Sequence, residues 1–270
     1  MKRVIKSALF NLRFNLSASN NFLFRWNYKY FYRPKKGTLS AFLSDYSKSV
    51  GDSFTVVQIG ANDGITHDPI HKFIKRDKWG GVLLEPQSYV FDNYLSKIYR
   101  KHPNITVLNA AMGMEDGEAI LYKIGFSNAR WATGLATFDR ATLEKAFSSG
   151  HVSRKCRKEK INIPEDTATH IAEEKVNIIS QKTLRKKYAL NKVDLLMIDT
   201  EGFDFEIIKM FNIAVTNPGA IVFEHSHLSD EDYAECLGHL ETNDYVIRKE
   251  GANTVAIKKE LNHFPDYFID

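Results

Sequence analysis

The chain has 270 residues, 43% hydrophobic and 26% charged, which is enough for one large domain with a full core and is an ordinary globular composition. Its two cysteines, Cys156 and Cys236, form no CxxC pair and sit in no His-rich cluster, which argues against a disulfide framework or a zinc site and for a reducing, cytoplasmic setting. The net charge of +4 is uneven: nine of the 37 bases and none of the 33 acids fall in residues 1–36, leaving 28 bases against 33 acids, a net −5, in a body that is no basic nucleic-acid platform.

Those first 36 residues also hold nine aromatics, among them Phe22, Trp26, Tyr30 and Phe31. Cationic and aromatic together suit peripheral contact with the inner face of an anionic membrane; packing on its own domain or on a second subunit of a homo-oligomer is the competing expectation. The opening MKRVIKSALFNLRFNL starts like a signal peptide, but Asn11 and Arg13 interrupt its apolar region and no small-residue cleavage site follows. No apolar run approaches the ~20 residues of a membrane span. Pro34 and the Lys35-Lys36-Gly37 turn close this basic aromatic extension, residues 1–37.

From Thr38 strand and helix signals alternate. A helix over 39–49 precedes a strand over 54–59. A helix over 68–76 places Ile70, Phe73 and Ile74 on one face, and a strand over 81–84 ends in Glu85-Pro86. A helix over 88–99 carries the stripe Val90, Phe91, Tyr94, Leu95 and Ile98, and strands follow over 105–109 and 119–124. This βαβαβ start winds into a parallel sheet. Residues 125–172 break the rhythm with Gly134, Gly150, Pro164 and the charge run 154–160, so they read as a lid or acceptor insertion with a helix over 140–147 and little else. Alternation resumes with strands over 176–179, 193–198 and 220–224 and helices over 181–188, 204–211 and 229–240. Strands over 245–248 and 254–257, joined at Gly251, form an antiparallel edge hairpin before a tail over 259–270. The expected fold is α/β: a mostly parallel seven-stranded sheet with helices on both faces, spanning 38–258.

In such a sheet, ligands bind outside the carboxyl ends of the strands. After the first strand, TVVQI, come Gly60, Ala61, Asn62, Asp63 and Gly64, a G-x-x-x-G loop that brings backbone amides near a ligand but is not the G-x-G-x-x-G of dinucleotide sites. Glu85 ends the second strand 25 residues beyond Gly60, where a carboxylate can accept both hydrogen bonds of a ribose diol. Asn109, Ala110 and Ala111 follow the third, small groups with one amide to frame an adenine edge. Asp199-Thr200-Glu201-Gly202 and Glu224-His225-Ser226-His227 end two later strands.

This ordered set, VVQIGANDGITHDPI at 56–70, GVLLEP at 81–86, LNAAMG at 108–113 and VDLLMIDTEGFDFEII at 193–208, resembles the FkbM-type family of S-adenosylmethionine-dependent methyltransferases. The resemblance implies a class I, Rossmann-like methyltransferase fold and methyl transfer to a hydroxyl oxygen, with a saccharide, glycolipid or similar small molecule as acceptor. Gly60 to Gly64 would then hold the methionine part of the cofactor, Glu85 the ribose, and Asn109 to Met112 would lie by the adenine. Gln58 departs from the family, which usually has an acid there; an amide orders the loop but cannot balance a positive charge, so weaker cofactor affinity is expected.

An alcohol must lose its proton in or before the transition state, by a general base or a Lewis-acid metal. Asp199, Glu201 and His225 are the catalytic candidates, with Asp199 and Glu224 as oxygen ligands for magnesium. Structural alternatives stand beside these roles. Glu85 can cap a turn, Asp199 can be a helix N-cap with Glu201 a first-turn acid, and Asp63 can close an Asx turn. His225 and His227 can be surface residues, 154–160 a solvated face, and Trp131 the lid's own core rather than a sugar platform. The rival functions are a NAD-dependent oxidoreductase, which lacks its glycine motif and a Tyr-x-x-x-Lys pair here, and a non-catalytic membrane adaptor. For the latter, deleting residues 1–36 is expected to separate localisation from activity.

Overall fold

Strict alternation in the central strands sorts their side chains onto two cores. In β1 (Thr55–Ile59), Val56 faces one core while Val57 and Ile59 face the other; in β7 (Leu195–Ile198), Leu195 and Met197 oppose Leu196 and Ile198. Strands buried on both faces need continuous apolar runs, as the sequence supplies. The structure is a computed structural model that describes residues 2–268, apart from the side chains of residues 2–7 and 265.

With β2 (Gly80–Leu84), β3 (Ile105–Leu108), β8 (Ala220–Glu224), β9 (Tyr245–Glu250) and β10 (Asn253–Lys258), they form a seven-stranded sheet ordered β3-β2-β1-β7-β8-β10-β9. β10 alone runs antiparallel, inserted between β8 and the edge strand β9. Helices Leu39–Val50 and His71–Asp77 and the helical segment 88–99 cover one face through Phe42, Phe73 and Ile98. Helices Gln181–Lys187, Asp204–Phe211 and Asp230–Thr242 cover the other through Leu184, Phe211 and Leu240. This is the mostly parallel seven-stranded α/β sheet with helices on both faces and an antiparallel edge strand pair that the sequence pattern leads to expect.

The strand expected over 119–124 is there as β5 (Gly117–Ile124) but does not join the main sheet. It pairs with β6 (Ile171–Ser180), which also takes the short β4 (Ala111–Gly113), in a separate sheet ordered β4-β6-β5. A further parallel strand needs a crossover of a dozen or more residues, and none separates β3 from β5. Residues 125–172 hold more structure than expected: besides Arg140–Ser148, the helices Arg130–Thr133 and His151–Glu159 close on a small core of Ile124, Leu143, Val152 and Cys156. Trp131 packs against that core, and the run 154–160 turns its charges outward around the buried Cys156.

The extension folds as two helices, Lys2–Ala18 and Phe22–Tyr30, the second capped by Asn21, whose side chain accepts from Leu23 and Phe24 N–H. Phe10, Phe14 and Tyr32 pack against the first core. Among the described residues no helix is long and apolar enough to cross a membrane.

Candidate active site

The carboxyl ends of β1, β2 and β7 open into one cavity of about 670 Å³, closed from above by the 130–145 segment. Of the expected cofactor residues, Gly60, Asn62, Glu85 and Ala110 line it. Ala61, Asp63, Gly64 and Asn109 do not: they build the wall from behind. Gly60 and Ala61 donate to Leu84 O at 3.1 and 2.9 Å, folding the loop across β2. Gly60 has φ +81°, and a Cβ on it would stand 1.9 Å from Asp199 O, so only glycine lets β1 and β7 end this close together. Asp63 Oδ1 accepts from Ile65 and Thr66 N–H at 3.0 and 2.7 Å, an Asx-type turn. The Asn109 amide, expected by the adenine, donates to Glu85 O and Pro86 O at 3.0 and 2.9 Å and so fixes the Glu85 turn; Ala110, Ala111 and Met112 face the cavity in its place.

Glu85 is buried. Its Oε2 accepts from Asn62 N–H at 2.8 Å and its Oε1 from Gln87 N–H at 2.9 Å, with Gln87 Nε2 at 3.2 Å. Burial pushes its carboxyl up to about 7 against these hydrogen bonds and the Arg130 charge. Gln87 Nε2 also donates to Thr133 O at 2.9 Å, tying this turn to the overlying Arg130–Thr133 helix. Gln58 lies outside the cavity. It is buried behind the loop, donating to Asp68 Oδ2 at 3.3 Å, while Asp68 Oδ1 caps the next helix by accepting from Ile70 and His71 N–H. Gln58 Oε1 is a buried acceptor with no hydrogen-bond partner among the described residues.

At the end of β7, Asp199 and Glu201 also line the cavity, with Arg130 and His227. Neither carboxylate caps a helix, which removes the structural alternative for this pair: the helix Asp204–Phe211 has Phe203 at its N-cap. Glu201 instead occupies the left-handed region at φ +54°, a conformation that costs energy outside glycine and clusters at functional sites. Asp204, fully buried, holds that turn. Its Oδ2 accepts from Thr200 N–H, Thr200 Oγ1 and Gly202 N–H at 3.2, 2.9 and 3.4 Å, and its Oδ1 from Glu224 N–H at 3.1 Å. Burial, with Glu224 and Asp204 nearby, pushes Asp199 up to about 7; burial with Asp199 and Glu224 pushes Glu201 up to about 8. Arg130 opposes both shifts, and its buried Nε, 4.0 Å from Asp63 Oδ2, has no hydrogen-bond partner among the described residues.

His225 is a correction. It does not line the cavity: its ring stacks on Tyr233 at 4.8 Å and its Nδ1 is 3.0 Å from Thr254 Oγ1, while burial and Lys249 lower its proton affinity. The chain leaves β8 at Glu224 and turns, so the histidine at the cavity is His227, with Nε2 3.4 Å from Glu201 Oε2 and 3.8 Å from Glu224 Oε1. Ligand atoms of Glu201, Glu224 and His227 lie within 4.8 Å of one another, a group that could hold a metal ion among the described residues; Asp199, expected to share an ion with Glu224, is not part of it.

Arg130 and Gln87 gave no signal in the sequence, since both act through an insertion whose docking no local pattern announces. His227 stands two residues beyond His225, and Asp204 carried no signal beyond opening the helix expected over 204–211.

The family described as the methyltransferase FkbM domain matches residues 58–247 of this chain. Among curated proteins no match was found. Among solved structures, methyltransferase FkbM from Methylobacillus flagellatus KT is similar at 13% identity and TM-score 0.46, over 77% of this chain and 44% of that one. The precorrin-6y C5,15-methyltransferase from Geobacter metallireducens GS-15 gives 12%, 0.38, and 85% and 94% coverage; the delta-N METTL16 methyltransferase domain gives 9%, 0.40, and 90% and 96%. The chain thus spans less than half the length of the FkbM structure it matches.

Proposed function

The chain belongs to the FkbM methyltransferase family, and from that premise we propose an S-adenosylmethionine-dependent O-methyltransferase acting on a hydroxyl of a saccharide, glycolipid or similar small molecule. The residues present suit the cofactor. The cavity volume is that of a small-molecule site, Glu85 keeps about one of a carboxylate's four lone-pair sites for a ribose hydroxyl beyond its three described hydrogen bonds, and the acidic wall suits a cation. When bound, S-adenosylmethionine supplies a methyl group on a positively charged sulfur.

The single observation that carries the reading is the pair Asp199 and Glu201, two carboxylates with raised proton affinity lining the same cavity as Glu85. A carboxylate titrating near 7, as Asp199 does, is a stronger base than an ordinary one and is about half ionised at neutral pH, whereas Glu201 near 8 is mostly protonated there and serves as a hydrogen-bond donor. Asp199, whose backbone carbonyl lies against Gly60, would take the acceptor's hydroxyl proton onto a carboxylate oxygen as the acceptor oxygen bonds the methyl carbon and the methyl–sulfur bond breaks, the sulfonium leaving as a neutral thioether. Glu201, beside His227, orients that hydroxyl, and Arg130 keeps both carboxylates from being fully neutralised. Phe138 and Phe203 line the same cavity with exposed rings, which favours the apolar face of a sugar ring.

Calorimetry with S-adenosylmethionine, then methyl transfer to cell-envelope glycans read by mass spectrometry, tests the proposal. Asp199→Asn is expected to lower kcat by about 10²–10⁴-fold with cofactor binding retained. A methylated protein or lipid carboxyl in place of a glycan would reject the acceptor class. Magnesium, first expected at Asp199 and Glu224, is tested at Glu201, Glu224 and His227: activity lost to a chelator and restored by magnesium would give this cluster a Lewis-acid role, whereas activity indifferent to chelation leaves it acid–base chemistry alone.

A further inference from the structure

Each N-terminal helix carries two apolar stripes, and the body uses one of them. In Lys2–Ala18 the inward stripe is Phe10, Phe14 and Ser17; both rings pack on Tyr94, at 6.4 and 5.9 Å, and Ser17 is buried. Leu9 and Leu12, on another face, are 59% and 56% exposed. In Phe22–Tyr30 the inward stripe is Phe24 and Tyr28, continued by Tyr32, whose ring meets Phe73 at 6.2 Å. The outward stripe is Phe22, Trp26 and Tyr30, at the i, i+4, i+8 spacing of one helix face, with Leu23 and Phe31 beside it. Trp26 touches Tyr30 and Phe31, with ring centroids 5.5 and 5.1 Å apart, and Phe22, Leu23 and Phe31 are more than 60% exposed.

So many large apolar groups together in water mark an interaction surface. The charges around it say which kind. Arg13, Lys29, Arg33, Lys35 and Lys36 are exposed, and residues 1–36 contain no acid, while the rest of the chain is net negative. A second copy docking isologously would set the same basic patch against itself, with no acid in the patch to relieve it. A bilayer rich in anionic headgroups satisfies both features at once: rings lie at the headgroup level and lysines among the phosphates. The helices are also held firmly enough to orient the body, since Lys75 Nζ donates to Ser17 O at 3.1 Å and Ser17 Oγ lies 3.1 Å from His71 Nε2. We infer that the outward face of residues 22–36, the Phe22, Trp26 and Tyr30 stripe with its flanking bases, docks the protein on an anionic lipid surface without crossing it.

The test is co-sedimentation of the full chain with phosphatidylcholine vesicles, with and without phosphatidylglycerol, alongside Trp fluorescence. Expected are binding that requires phosphatidylglycerol, a blue shift that is lost in Trp26→Phe, and affinity falling about a hundredfold when Lys29, Lys35 and Lys36 are all changed to Gln. Phe22→Ser with Phe31→Ser should abolish sedimentation while thermal unfolding stays unchanged, because both side chains are exposed. No sedimentation of the intact chain, or equal binding to both vesicle types, overturns the inference. So does a dimer in sedimentation velocity that the same two substitutions dissolve, which would assign the face to a second copy.

Discussion

Glu85 is held by the backbone of its own turn and by a loop from the neighbouring strand, which makes its protonation a probe of the folded state. Its carboxyl moves from an ordinary 4.5 to about 7 because it is buried, so the folded chain keeps a proton that the unfolded chain releases. Bound protons are then more numerous in the folded state between those values, and stability falls as pH rises through that window. Chemical denaturation at pH 5 and pH 8 should show the drop, and Glu85→Gln should shrink it by up to about 3 kcal/mol. Gly60 is fixed by contact rather than chemistry. A methyl group at φ +81° and 1.9 Å from a carbonyl oxygen forces β1 away from β7, so Gly60→Ala is expected to cost about 3 kcal/mol or more and to abolish cofactor binding in calorimetry.

The turn after β7 and the helix behind it act as one element. Four donors from residues 200, 202 and 224 converge on the Asp204 carboxylate, and this network holds Glu201 in its left-handed backbone conformation. Asp204→Ala leaves those donors unmatched in a buried place; a loss of about 3 kcal/mol or more in denaturant titration is expected, with a matching collapse of activity. The insertion is joined to the Glu85 turn by Gln87, which touches both Glu85 and Thr133. Gln87→Ala should therefore raise the KM for S-adenosylmethionine and the acceptor together, whereas loss of a pure ribose contact would raise the first alone.

At the scale of the molecule, the N-terminal helices are part of the body. They supply Phe10, Phe14 and Tyr32 to the first core and a carbonyl to Lys75, whose ammonium burial holds near 8. Deleting residues 1–36 was expected to separate localisation from activity; here it uncovers part of a core, and the truncated chain should lose about 3 kcal/mol or more of stability by thermal or chemical unfolding. Substitutions on the outward stripe are the cleaner separation, since they leave the inward contacts intact.

The residues of β1, β7 and β8 determine by themselves that they are strands buried on both faces, because short continuous apolar runs ended by glycine or acid have few other uses. The positions of Gly60, Glu85, Asp199 and Glu201 at one edge follow from that pattern and from the rule that parallel strands place their carboxyl ends together. Tertiary structure decided what lies within reach of that edge. Arg130 and Gln87 arrive through an insertion whose path is set by the separate sheet of β4, β5 and β6, and His227 displaces His225 because the chain turns just after β8. The same holds for the extension: composition made it aromatic and cationic, but only packing could assign one face of each helix to the protein and leave the other exposed.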